Sequence, residues 1–309
     1  GPASPMTLFL EQLLNGLQLG IMLFLMAAGL TLIFGIMGVI NLAHGSIYMV
    51  GAYVGSYVFL ETGSFFLGIP AAIAGAAATG VLIEYFVIRR LYVRDHLDQV
   101  LATFALILLF NQGVTMVFGL QPLFVATPQL LSGSVELLPG LIYPVYRIAI
   151  IVAGLAVAAG LYGLINHTRL GMLVRAGSTN REMVRALGVP IRLLYTLVFG
   201  LGALLAGFAG FMAGPIMAVQ VGMGEQILIT TFVVVVIGGV GSIRGAFLAS
   251  LLVGVVDTML RSYLPGFFRQ IMVGPEADTL AAGLSSMGIY LLMAIVLLIR
   301  PKGLFAANN

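Results

Sequence analysis

The chain has 309 residues, 61% of them hydrophobic and only 8% charged, with a net charge of +3. A soluble domain carries about 25% charged residues, so this composition excludes a sizeable water-soluble domain, and its scattered arginines form no basic face of the kind a nucleic acid requires. The absence of cysteine excludes disulfides and thiolate chemistry, and His44, His96 and His167 lie in three different segments, which argues against a metal cluster.

Taken in chain order, Gly1 to Pro5 reads as a cloning or cleavage scar, and residues 6–309 read as one membrane domain. A bilayer crossing takes about 20 apolar residues. Apolar runs fall at roughly 8–35, 38–60, 69–88, 99–119, 145–166, 193–215, 226–241, 245–264 and 284–300. No charged leader or cleavage site precedes the first, so it reads as a permanent span. The run at 226–241 is short and ends in Gly238-Gly239-Val240-Gly241-Ser242, the pattern of a broken or re-entrant pair. The expected fold is an all-α polytopic membrane protein of about nine transmembrane helices, with one or more broken or re-entrant segments.

Basic residues in short loops set orientation. Arg89, Arg90, Arg94, Arg169, Arg175, Arg181, Arg185, Arg192, Arg244, Arg300 and Lys302 all fall on one side of a nine-span topology, and only Arg147, Arg261 and Arg269 fall on the other. The first group marks the cytoplasmic side, with the N-terminus outside and the C-terminus inside. Among the 40 glycines, the ladders Ala206–Gly210–Gly214 and Gly51–Gly55 predict close helix packing.

The most structured polar segment is the loop at about 167–192. Thr179 and Glu182 have capping-box spacing, and Gly188 followed by Pro190 predicts a left-handed helix stop. A two-turn helix between them puts Met183 and Leu187 on one face and Arg181 and Arg185 on another. So short a helix is unstable alone; it is either a capped surface turn or a docking element for a cytoplasmic protein. Within the spans, polar residues are costly. Asn41 and His44 either cap and bridge helices or mark a helix break facing a solute. Asp257 and Arg261 predict an ion pair, Glu84 predicts a side chain snorkelling beside Arg89 and Arg90, and Asn111 and Gln112 predict hydrogen bonds between helices. No catalytic constellation can be placed.

The segment from Gly29 through Thr31, Phe34, Gly38, Asn41, His44 and Gly45 to Gly51-Ala52-Tyr53 resembles the N-terminal signature of branched-chain amino acid ABC-importer permeases, of the LivH type. Matching features recur in order at Arg175-Ala176, Asn180, Ala186-Leu187-Gly188, Val236 to Ser242, and Arg300 to Phe305. The resemblance implies a multi-pass permease domain in the bacterial inner membrane, with a second homologous permease subunit, two cytoplasmic ATPase subunits and a periplasmic solute-binding protein as partners besides the lipid bilayer. It implies ATPase coupling through Arg175, Ala176, Thr179, Asn180, Glu182, Met183, Ala186, Leu187 and Gly188. With it, Asn41, His44, Gly45, Gly238, Gly239 and Gly241 become candidates for the translocation pathway. The chain carries no Gly-x-x-x-x-Gly-Lys-Ser/Thr loop, so ATP and magnesium are expected on the partner ATPases and no cofactor on this chain. Scarce charge in the spans suits a small neutral or zwitterionic solute: a branched-chain amino acid, urea, an amide or an aromatic acid. An ion-coupled transporter or channel is the rival, which Asp257 or the Gly238 to Ser242 break would have to serve.

Overall fold

The computed structural model describes Ser4 through Phe305. Residues 1–3 of the supposed scar lie outside that range, whereas Ser4 and Pro5 open the first helix: Ser4 Oγ accepts from Thr7 N, and Pro5 supplies the fixed φ of the first turn. Eleven α-helices follow among the described residues: α1 Pro5–Met37, α2 His44–Thr62, α3 Phe65–Phe86, α4 His96–Phe118, α5 Val145–His167, α6 Arg169–Thr179, α7 Arg181–Ala186, α8 Ile191–Ala213, α9 Met223–Gly238, α10 Ile243–Ile271 and α11 Pro275–Ile299. Seven are long and apolar enough to cross a membrane; α9, at 16 residues, is shorter, and α2 is less apolar. The protein is an all-α polytopic membrane protein, and its nine apolar runs correspond to α1–α5 and α8–α11.

Several boundaries differ from expectation. The run at 38–60 does not begin as a helix: α1 stops at Gly38, whose φ is +64°, and Gly38–Ala43 is non-helical before α2 starts at His44. The stretch is largely apolar, so periodicity alone cannot separate it from a helix. The break at 239–242 is a tight turn that folds α9 and α10 into a hairpin, with Gly238 against Gly245. An antiparallel β-hairpin, β1 Ser134–Leu138 and β2 Leu141–Pro144, lies between α4 and α5. It turns at Gly140, which has φ +87°.

Small residues set the packing, as the ladders predict. α1 runs antiparallel to α10, where a Cβ on Gly16 would sit 2.8 Å from Val255 Cα and one on Gly20 2.8 Å from Ser250 O. α2, α3 and α8 pack on one another: a Cβ on Gly51 would collide with the Gly207 backbone, one on Gly210 with Tyr48 O and one on Gly80 with the Ala203 side chain. Such approaches maximise dispersion contact where lipid offers no hydrophobic drive for helices to associate. α1, α2 and α8 are largely buried, while α4, α5 and α11 turn large apolar side chains outward, among them Phe104, Leu109, Met116 and Leu298.

One end of the bundle gathers the basic residues. There Arg181 Nη1 donates to Met37 O, Gln99 Nε2 donates to Leu91 O and Arg94 O, and the C-terminal segment pairs with the end of α9. Arg147 sits at the other end, donating to Asn15 Oδ1 and Gln18 Oε1.

Candidate translocation and coupling sites

α6 and α7 form a compact element under the basic end of the bundle. Thr168 Oγ1 accepts from Gly171 N at 3.1 Å and caps α6. The second cap differs from the predicted box. Thr179 is the last residue of α6, its hydroxyl donating back to Arg175 O at 3.0 Å. Asn180, with extended φ and ψ of −153° and 96°, is the N-cap of α7, and its Oδ1 accepts from Met183 N at 3.0 Å. A cap oxygen must reach the second or third helical amide. From Asn180 that amide is Met183, which leaves Glu182 exposed in the first turn, favourable to the helix dipole rather than reaching back. Gly188 adopts φ +88° and donates to Arg185 O, ending the helix as its sequence predicts.

Three interactions hold this element to the membrane bundle. Val184 is buried, Arg181 Nη1 reaches Met37 O at 3.1 Å and Tyr195 OH at 3.4 Å, and Gly171 lies so close to the carbonyl oxygens of Leu164 and Ile165 that a Cβ could not be accommodated. Arg181 therefore leaves the face it was expected to share with Arg185. On the outer edge Met183 is 56% and Leu187 75% exposed; Ala186 ends α7 beside them, and Ala176 O caps Asn180 N. Arg175 is exposed on α6.

The second site is the stretch Gly38–Ala43 and the start of α2. Gln99, itself buried, accepts from Ile40 N at 3.1 Å and ties the stretch to the loop before α4. Asn41 Oδ1 accepts from Ala43 N at 3.0 Å, and His44 Nε2 lies 3.1 Å from Met26 O, so that nitrogen carries the proton. The imidazole rests against the Gly29–Gly202 contact between α1 and α8, and Gly45 meets the Gly224 backbone of α9. Both side chains are thus caps and bridges, yet Asn41 Nδ2 and His44 Nδ1 are buried without a partner, as are Tyr53 OH and Ser56 Oγ further along α2. Buried polar atoms of this kind ordinarily find a partner. Nearby, a cavity of about 200 Å³ is lined by Tyr48, Met223, Gln220, Gln226 and Thr230, with Asn111 Nδ2 donating to Glu225 Oε1 one residue away. Gln112 is exposed and makes no such bond among the described residues.

The glycine break has its backbone satisfied. Gly239 and Gly241 have φ of +99° and +86°. Gly238 O accepts from Phe305 N, Gly239 N donates to Val235 O, and Gly241 N donates to Thr31 Oγ1 at 2.8 Å. A Cβ on Gly239 would lie 2.6 Å from Phe305 O. Gly238 and Gly239 seat the C-terminal segment against the end of α9, while Gly241 seats the turn against Thr31 and Gly35 of α1. Sequence reasoning missed Thr31, Gln99 and Val184, each an ordinary residue whose role depends on a distant backbone group. Glu84 is fully buried rather than snorkelling: it pairs with Arg89 at 3.1 Å and accepts from Tyr92 and Thr196. Burial foremost, then the Glu84 bond, pushes the Tyr92 phenol well above its usual range. Asp257 and Arg261 form the expected pair, at 3.1 Å.

A family model described as branched-chain amino acid transport system, permease component, matches residues 12–298. The chain belongs to that family. It is 30% identical over 310 residues to the high-affinity branched-chain amino acid transport system permease protein BraD of Pseudomonas aeruginosa, covering 96% of this chain and 95% of the relative. It is 28% identical over 311 residues to the corresponding protein LivH of Escherichia coli K12, with the same coverage, and 27% identical over 299 residues to the ribose import permease protein RbsC of Escherichia coli K12, covering 87% and 84%. No solved structure matches the chain. The permease is therefore the membrane component of a transport system and not an enzyme, and its family implies an ATPase and a solute-binding protein as partners.

Proposed function

We propose that the permease forms half of the translocation unit of an ATP-driven importer for branched-chain or other hydrophobic amino acids. It pairs with a second permease subunit of the same family in the bacterial inner membrane, with its N-terminus outside and the arginine-rich end cytoplasmic. Two ATPase subunits beneath it bind ATP and magnesium, and a periplasmic solute-binding protein delivers the solute. The observation that carries the reading is the α6–α7 element: an apolar edge, Met183 and Leu187, left exposed on a helix that buries Val184 and that Arg181 ties to the end of α1. Force applied to that edge by an ATPase is transmitted through Arg181 to Met37 O, and hence to the Gly38–Ala43 stretch carrying Asn41 and on to His44. The unpartnered atoms there are neutral donors and acceptors, suited to a small solute without net charge. Gly238, Gly239 and Gly241 serve this path indirectly, by holding the turn between α9 and α10 against α1 and the C-terminal segment against α9.

Leu187→Asp tests the coupling. A carboxylate at an apolar contact carries a desolvation cost that docking does not return. The variant should insert normally but fail to retain the ATPases on purification, while Arg185→Ala retains them. Retention of the ATPases by Leu187→Asp, with normal uptake, would show that docking lies elsewhere.

A further inference from the structure

A crevice of about 680 Å³ lies in the bundle away from the Asn41 and His44 side chains. It has α1 as its floor and α5 and α10 as its walls. α1 and α5 touch where Gly154 meets Ile21 and diverge below that point. Leu155, Ala158 and Tyr162 line one wall, Phe247 the other, and Phe24 and Leu32 the floor. Leu155 and Tyr162 are exposed, so the crevice opens sideways between the helices. It follows α5 from Leu155 to Asn166, about 16 Å at the helical rise. The hydrocarbon core is about 30 Å thick, so the crevice is one leaflet deep.

Its mouth, at the basic end of the bundle, has a different chemistry. Arg175 of α6 and Arg244 of α10 border it together with Asn166, Ser178 and Ser242, and the described lining contains no Asp or Glu. Neither arginine has a carboxylate partner among the described residues: Arg175 Nε reaches only Gly171 O at 3.4 Å, and Arg244 lies over the Phe305 ring at 5.3 Å. The volume falls within the range of small-molecule sites.

We infer that this crevice binds one anionic phospholipid, its acyl chain lying along α1 and its phosphate held between Arg175 and Arg244. An apolar slot one leaflet deep, ending in two unneutralised guanidinium groups at the membrane surface, matches an anionic amphiphile end to end. A second polypeptide fits less well, because the core of a protein interface is depleted of charge. The headgroup would bridge α6 to the first turn of α10, joining the coupling element to the bundle at a point the protein itself leaves open. The inference holds whether or not the proposed solute is correct.

The chain has no tryptophan, so Tyr162→Trp, at a position 66% exposed, places a single, selectively excitable tryptophan in the crevice of the full-length chain. Reconstituted with brominated phosphatidylglycerol or brominated phosphatidylcholine at equal mole fraction, this tryptophan should show anionic lipid favoured by roughly fivefold for each arginine engaged. A tryptophan at Leu109, on the lipid face of α4, should show no preference. Arg175→Gln with Arg244→Gln should abolish the preference, and the paired Lys substitutions should keep it. Excess inorganic phosphate should leave the quenching unchanged. Equal quenching by the two lipids, displacement by phosphate, or loss of quenching when a second permease subunit assembles would each overturn the inference; the first two use the native arginines and so stand even if the double variant misfolds.

Discussion

Replacing Asn180 with Ala removes the Oδ1 that accepts from Met183 N at 3.0 Å and leaves that amide without its cap. Loss of such a cap costs about 1 kcal/mol, which lowers the formation constant of α7 by about fivefold. A helix of six residues has no length over which to absorb that loss. Thr179→Ala, by contrast, removes only a hydroxyl bonded back to Arg175 O within α6, an interaction that contributes little to a helix. Hydrogen exchange at the Met183 and Val184 amides of the detergent-solubilised permease reads the difference directly. Exchange should accelerate about fivefold in Asn180→Ala and hardly at all in Thr179→Ala. Equal acceleration in the two variants, or a larger effect from Thr179→Ala, would refute the cap assignment and return Thr179 to the role its spacing with Glu182 suggests.

Gly51→Ala puts a methyl into the Gly207 backbone and should lower thermal stability by about 1–3 kcal/mol, the range for overpacking, whereas Gly113→Ala, with open space around it, should be neutral or stabilising in the same melt. A single cysteine at Ser178 should react with an impermeant maleimide only from the cytoplasmic side and one at Ser132 only from outside; labelling of both from one side would contradict the proposed orientation. Thr31→Val removes the acceptor of Gly241 N and should loosen the turn on which the C-terminal segment packs, seen as faster tryptic cleavage after Lys302, at a cost of about 1–3 kcal/mol for the orphaned amide.

Much of the architecture was legible because membrane helices announce themselves by apolar length, and the nine runs correspond to nine helices. What escaped was non-local. Val39, Ile40 and Leu42 read as helix because apolarity in a span does not depend on backbone conformation, and the interruption is stabilised by Gln99, 59 residues away from Ile40. Glu84 looked interfacial from its neighbours Arg89 and Arg90, but Thr196, 112 residues on, completes a buried set. The cap was displaced by one residue because Thr179 and Asn180 are both competent, and only the backbone angles choose between them. The β-hairpin had a local signal, Leu138-Pro139-Gly140 between apolar pairs, outweighed by an all-helical composition. In the glycine break, sequence marked the interruption but not the partner, Phe305, that packs against Gly239.

The role assigned to the permease is tested most directly by solute uptake in proteoliposomes containing it with its second permease subunit, the two ATPases and the solute-binding protein. With ion gradients collapsed by ionophores, labelled leucine should accumulate only when ATP is supplied on the ATPase side, and uptake should vanish when Leu187→Asp replaces the native chain. Accumulation driven by a proton or sodium gradient in the absence of ATP would contradict the assignment and make this chain an ion-coupled transporter.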